Sequence, residues 1–178
     1  AMANAGQDIT CDMKLSDSHT GEEVVVSNAV IYRTALTPIL SSIDNQEGGS
    51  AGGSTIVLTG SNFSNDLADV SVTILGSICD ISQVSMTEIT CVTNALPKDV
   101  GSYGAVPQVL IQGKGYAWHD ENNEDDLIFE YIDKWSSTYT WGCVDGSCKP
   151  LEGDIIVIPA GTKVVLDEST PILKALLI

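Results

Sequence analysis

A chain of 178 residues, 43% of them hydrophobic, is long enough to bury the core of one or two domains. Its 24 acidic residues against 8 basic ones leave a net charge of -16, which makes nucleic acid and anionic membrane surfaces poor partners. No run approaches the roughly 18 consecutive apolar residues of a membrane helix, and "AMANAGQD" lacks the basic, apolar and cleavage regions of a signal peptide, so the segment reads as soluble.

In chain order, the first signal is a repeat. "DITC" at residues 8–11 returns as "EITC" at 88–91, and each is followed by a polar stretch, a valine-rich strand and an aromatic residue. Residues 1–34 therefore read as the closing strands of one domain, and residues 35–133 as a complete copy. Cys11 becomes the orphan half of a bridge.

The glycine- and serine-rich stretch "GGSAGGSTIVLTGSNFS" at residues 48–64 is the next question. A phosphate cradle would need a lysine before the Ser or Thr and a helix after it, and neither is present. The string Gly48, Ser50, Gly52 meets the nucleophile-elbow pattern in letters only, because that elbow needs a strand before and a helix after. A flexible linker would stay polar, whereas this one runs into Ile56, Val57 and Leu58. The remaining reading is the start of a sandwich. Asn62 heads the one N-x-S/T sequon, on a loop after a strand, and reads equally as a glycan site and as an ordinary turn asparagine.

From residue 54 onward, apolar residues alternate with polar ones. Val70, Val72 and Ile74 share one face, opposite Ser71 and Thr73. Val109 and Ile111 share another, as do Leu127, Phe129 and Tyr131. Half-buried strands separated by glycine, asparagine and proline turns predict an antiparallel sandwich. Between the last two of these strands, "HDENNEDD" offers Asp120, Glu121, Glu124, Asp125 and Asp126 as oxygen ligands. It lacks the spacing of a calcium loop, so Asp120, Glu124, Asp125 and Asp126 are weak calcium candidates within a solvated hairpin tip. His19 and His119 are the only near-neutral bases and lie in polar, turn-like stretches. Neither catalysis nor a cofactor is expected.

At residue 134 the character changes. "DKWSSTYTWG" is aromatic and rich in Thr and Ser; "GDIIVIPAGTKVVLD" reads as two short strands joined by the turn "PAGT", and "TPILKALLI" supplies a third. Strands this short and close suit a β-solenoid or small barrel. Trp135 and Trp141 read as sugar-stacking rings or as packing at a domain junction.

The five cysteines lack the pairs and histidine partners of a zinc site. Cys79 and Cys91 lie twelve apart, and Cys143 and Cys148 five apart across a turn that Gly146 permits. Two bridges formed in an oxidising compartment are the leading expectation, and buried free thiols the alternative.

With these residues in place, residues 35–133 resemble the immunoglobulin-like fold of plexins and transcription factors called the IPT or TIG domain. Pro38, the pair Gly52 and Gly53, Gly60 with Phe63, and Gly76 with Cys79 and Cys91 carry that likeness. It implies a Cys79–Cys91 bond. Residues 134–178 resemble the opening of a G-eight domain, carried by Trp135, Trp141, Gly142, Pro150, Gly153, Asp154, Pro159, Gly161, Leu166, Asp167, Pro171 and Leu173. IPT domains running into a G-eight domain is the arrangement of the fibrocystin and fibrocystin-like family of large cell-surface proteins. The resemblance implies an all-β immunoglobulin-like sandwich flanked by partial β-rich segments, in an extracellular setting.

The function expected is a non-catalytic structural or adhesive module of a surface protein or assembly. A ligand-binding receptor ectodomain, for protein or glycan, is the second reading. The third is a fragment of a carbohydrate-active enzyme, since hyaluronan-degrading surface enzymes also carry a G-eight domain, with a catalytic region beyond this chain's end. The apolar run Ile172, Leu173, Leu176, Leu177 and Ile178 is expected to be an assembly edge, completed by other copies or by other domains of the parent protein.

Overall fold

A computed structural model describes residues 8–98, 103–142, 148–159 and 162–178. The chain is built from β-strands with short 3-10 turns between them. Strands β1 (Ile9–Ser16) and β2 (Glu23–Tyr32) form an antiparallel hairpin that, among the described residues, pairs with no other strand. Its turn is tied by the Asp17 carboxylate, which accepts from the His19 amide at 2.8 Å, and closed by Gly21 at φ +73°. Val24, Val25, Val26, Val30 and Ile31 are exposed.

The sandwich follows. In order come β3 (Ile39–Ile43), β4 (Glu47–Gly49), β5 (Thr55–Ser61), β6 (Val70–Ile74), β7 (Ser77–Val84), β8 (Glu88–Thr93), β9 (Gly104–Ala105), β10 (Gln108–Ile111), β11 (Gly115–Tyr116) and β12 (Phe129–Lys134). Seven of them make one antiparallel sheet in the order β11-β10-β6-β7-β8-β5-β3. The sheet curls until its two ends meet: Ile39 bridges Trp118, and Leu40 N–H donates to the Trp118 carbonyl at 2.8 Å. Strand β12 sits on a second, smaller sheet with β4 and β9.

The period-two pattern is what folds it. Val70, Val72 and Ile74 turn inward from β6, Val109 and Ile111 from β10, and Leu127, Phe129 and Tyr131 from the last strand and the turn before it, all into one core. Cys79 and Cys91 lie in that core and are bonded, with their Cα atoms 5.5 Å apart. Gly60 is required where β5 passes β3, because a Cβ there would lie 1.9 Å from the Ile39 carbonyl and 2.4 Å from the Phe63 ring. Gly52 takes φ +80° and rests on the backbone of Asn94 and Ala95.

Three expectations are corrected. The acidic stretch is not a hairpin tip: Glu121–Leu127 winds into 3-10 turns, kinked at Asn123 and capped by Asp120, whose carboxylate accepts from the Asn122 amide at 3.0 Å. An aspartate that captures the amide two residues on starts a helical turn as readily as a loop. Second, the strands matching β1 and β2 in the complete copy are β8 and β10, which β6 and β7 separate. In the N-terminal segment β1 and β2 pair directly with each other, and among the described residues no strand lies along their outer edges.

The third concerns residues 148–178. Strands β13 (Ile155–Val157), β14 (Val164–Val165) and β15 (Ala175–Leu177) are where the sequence places them, but β13 and β14 do not form a hairpin. Strand β13 pairs in parallel with β15, and β14 in parallel with β12. Alternation reports that a strand is half-buried and says nothing about the direction of its partner. The edge of β12 was available, and β14 took it.

Candidate functional site at the junction

The seam between the sandwich and the segment after it is the most elaborated polar region of the chain, and β12 runs through it without a break. Its first part, Glu130 to Ile132, pairs in parallel with Glu47 to Gly49 of β4. Its last two residues, Asp133 and Lys134, pair in parallel with Val164 and Val165 of β14. One strand thus serves two units, and the boundary expected at residue 134 falls inside it. Backbone bonds continue the ladder: Asp133 N–H donates to the Lys163 carbonyl at 3.0 Å, and Trp135 N–H to the Val165 carbonyl at 2.8 Å.

Side chains reinforce the same seam. Ser50, in the loop after β4, donates its hydroxyl to the Asp133 carboxylate, and both residues are buried. Lys163 donates to Glu47 at 3.0 Å and to Glu130 at 2.7 Å, bridging β4 and β12 from the later unit. Those bonds to Glu130 and then Glu47 hold the Lys163 ammonium above its ordinary pKa. Asp167 accepts from both the hydroxyl and the amide of Ser136, at 2.6 and 2.9 Å, and the two bonds lower its carboxyl below the ordinary value.

Aromatic packing closes the junction. Trp135 is fully buried and meets Trp141 edge to face at 4.8 Å between ring centres, while the Trp141 indole donates to the Trp135 carbonyl at 2.9 Å. Both rings are therefore packing residues, not a free sugar platform. Tyr139 donates its hydroxyl to the Leu96 carbonyl, and Lys98 lies 4.5 Å over its ring. Burial first, and then the nearby Asp133 charge, push the Tyr139 phenol up. A cavity of about 180 Å³ remains between the units, lined among others by Ser50, Lys98, Tyr103, Asp133, Tyr139 and Thr162.

The residues singled out from sequence lie elsewhere. The Cys79–Cys91 bond is in the sandwich core. Cys143 lies outside the described residues, and with it the pairing expected with Cys148. Cys11 is exposed and free. Asn62 sits at φ +59°, half-buried, with its side-chain amide donating to the Thr37 carbonyl at 2.9 Å, so the nitrogen a glycan would use is holding the turn. Asp120, Glu124, Asp125 and Asp126 lie on the acidic 3-10 turns, and among the described residues no three His, Cys, Asp or Glu side chains are placed to hold a metal. Of the expected assembly edge, Ile172, Leu176, Leu177 and Ile178 are exposed and Leu173 is half-buried. Among the described residues, strand β15 pairs only with β13. No helix among the described residues is long and apolar enough to cross a membrane.

Lys163 was not singled out from sequence, and Ser50 was noted only as a letter match to a nucleophile elbow. Asp133 had one signal: two residues on from Tyr131, it continues the inward face of Leu127, Phe129 and Tyr131, where alternation calls for an apolar side chain. A charged residue at such a place needs a partner.

The IPT/TIG domain model matches residues 38–123. Fibrocystin-L of Homo sapiens is 40% identical over 147 residues, covering 83% of this chain and 3% of that protein. Fibrocystin-L of Mus musculus is 39% identical over 149 residues, with the same coverage. This chain thus spans about 3% of the length of the curated relatives it matches. Among solved structures, the plexin A4 extracellular region overlaps 54% of this chain and 10% of its own, at 13% identity and a TM-score of 0.45. An auxiliary nutrient binding protein from Bacteroides ovatus overlaps 53% of this chain and 21% of its own, at 21% identity and a TM-score of 0.40. Residues 38–123 are an IPT/TIG domain, and the chain belongs to the fibrocystin-like family.

Proposed function

We propose that this chain is a non-catalytic, extracellular structural module that holds an IPT/TIG sandwich and the β unit after it in one fixed orientation within a larger surface protein. The observation that supports this most is the shared strand: β12 completes the small sheet of the sandwich and starts the ladder of the next unit. A linker between independent domains is exposed and crossed by few contacts, whereas this junction is hydrogen-bonded, buried and braced by Ser50, Lys163 and Trp135. A disulfide between two core residues accords with an oxidising compartment outside the cell. The likeness of residues 134–178 to a G-eight opening supports reading the second unit as the start of such a domain, with the neighbouring domains of the parent protein as its partners.

Backbone 15N relaxation tests the reading. One rotational correlation time is expected for residues 38–142 and 148–178. Two distinct tumbling times would mean hinged units and would refute it.

A further inference from the structure

The three ladders that hold the C-terminal strands, β4 with β12, β12 with β14 and β13 with β15, are all parallel. In the seven-stranded sheet the ladders are antiparallel, as is the short pairing of β9 with β12. This difference decides how a pull along the polypeptide is resisted. In a parallel pair the earlier strand is drawn toward its N-terminal end and the later one toward its C-terminal end, so the strands slide lengthwise and their hydrogen bonds are loaded together. In an antiparallel pair the two pulled ends lie side by side, and the bonds open one after another.

The order of loading follows from the pairings. The β1–β2 hairpin opens from its ends. Strand β3 then peels from β5, beginning where Ile39 faces Ser61. The pull next reaches β4, and there the geometry changes. Glu130 N–H donates to the Gln46 carbonyl at 2.7 Å and Ser50 N–H to the Ile132 carbonyl at 2.8 Å, one at each end of the parallel pair. Lys163 joins Glu47 to Glu130 across the same ladder, and the Ser50 hydroxyl joins it to Asp133. Bonds and braces resist sliding along this ladder, which is longer than the single parallel bridge of Ile39 to Trp118 at the start of β3.

We propose that this chain is a tension-bearing element, in which pull along the polypeptide is carried in shear by β4 and β12 and passed in the same geometry through β12 and β14 to the next unit. The proposal rests on the structural-module reading and adds a direction of load to it. A force that opens the module is set by the barrier to unfolding along the pulled direction, not by its equilibrium stability.

The experiment is single-molecule pulling of the whole chain in two geometries at one loading rate. In the first, handles are attached at the two termini. In the second they are at residues 69 and 112, which face each other at one end of the antiparallel pair β6 and β10, where Gln112 N–H donates to the Asp69 carbonyl at 2.7 Å. The protein is the same in both, so its stability cancels. Pulling from the termini is expected to need roughly twice the force or more, since several bonds yield together instead of singly. Ser50→Ala is expected to lower the ratio of the two forces. Equal forces, or a weaker response from the termini, would overturn the proposal. That outcome alongside a single tumbling time would leave the fixed-orientation reading standing, whereas two tumbling times would remove the reading beneath both.

Discussion

The hydroxyl of Ser50 and the carboxylate of Asp133 meet in the buried seam across 83 residues of sequence, joining the glycine-rich loop to the last strand of the sandwich. Removing the hydroxyl leaves a buried carboxylate without this partner, and a buried group left unsatisfied costs more than a hydrogen bond nets. Ser50→Ala should therefore destabilise the chain by about 1–3 kcal/mol in urea unfolding. Asp133→Asn, which keeps an acceptor for Ser50 and removes the charge, should cost less. An Asp133→Asn variant less stable than Ser50→Ala would show that the charge and not the bond holds the seam.

Gly60 makes a sharper test of packing. A methyl group at this position meets backbone at 1.9 Å, and backbone cannot rotate aside as a side chain can. Gly60→Ala should cost at least about 2 kcal/mol, at the upper end of overpacking effects, and should blunt cooperative unfolding. Gly53 has open space around its missing Cβ and only a left-handed φ of +84° to accommodate, so Gly53→Ala should cost less. Denaturant curves of the two variants side by side check the ranking.

The disulfide closes a short loop between β7 and β8, with both sulfurs inside the core. Replacing Cys79 and Cys91 together with alanine should lower stability by about 3 kcal/mol, the loop-closure value for a separation of 12. Intact protein should resist mild reductant until it unfolds. Rapid thiol labelling of both positions under native conditions would contradict their burial.

What the sequence made legible follows from what alternation encodes. Val70, Val72, Ile74, Val109, Ile111, Phe129 and Tyr131 all point inward as their spacing requires, because the pleat leaves a strand only two faces. Gly60 and Phe63 were marked only by the likeness to the IPT/TIG pattern, and the structure supplies the reason: a Cβ at residue 60 would meet the Ile39 carbonyl and the Phe63 ring. The junction was not readable. Its parallel ladders join residue 47 to 130 and residue 133 to 164, and no local pattern reports a partner's direction or distance. Lys163 looked like one more surface charge, and its two partners lie 116 and 33 residues away. Asp133 alone broke the pattern in a way that could have pointed to the seam.

The pH dependence of the junction has two limbs, set by Asp167 and Lys163. Asp167 is held below the ordinary aspartate value of 3.8, first by the Ser136 hydroxyl and then by the Ser136 amide. Its contribution is complete above that ordinary value and is lost as the pH falls through the lower folded value. Lys163 is held above the ordinary lysine value of 10.5 by Glu130 and Glu47, so its contribution is complete below that value and lost as the pH rises through the higher folded one. The Asp167 carboxylate is thus in place above roughly pH 4 and the Lys163 ammonium up to roughly pH 10, and neither limit is reached by physiological changes. Both are exposed, so salt should weaken the Lys163 brace, and Lys163→Ala should produce only a small fall in Tm. The Ser136 amide shift, followed by NMR from pH 6 downward, should move in a single step whose midpoint lies below 3.8, and Asp167→Asn should abolish that step. A midpoint at or above 3.8 would mean that Ser136 does not hold the carboxylate, and the brace at that end of the junction would be absent in solution.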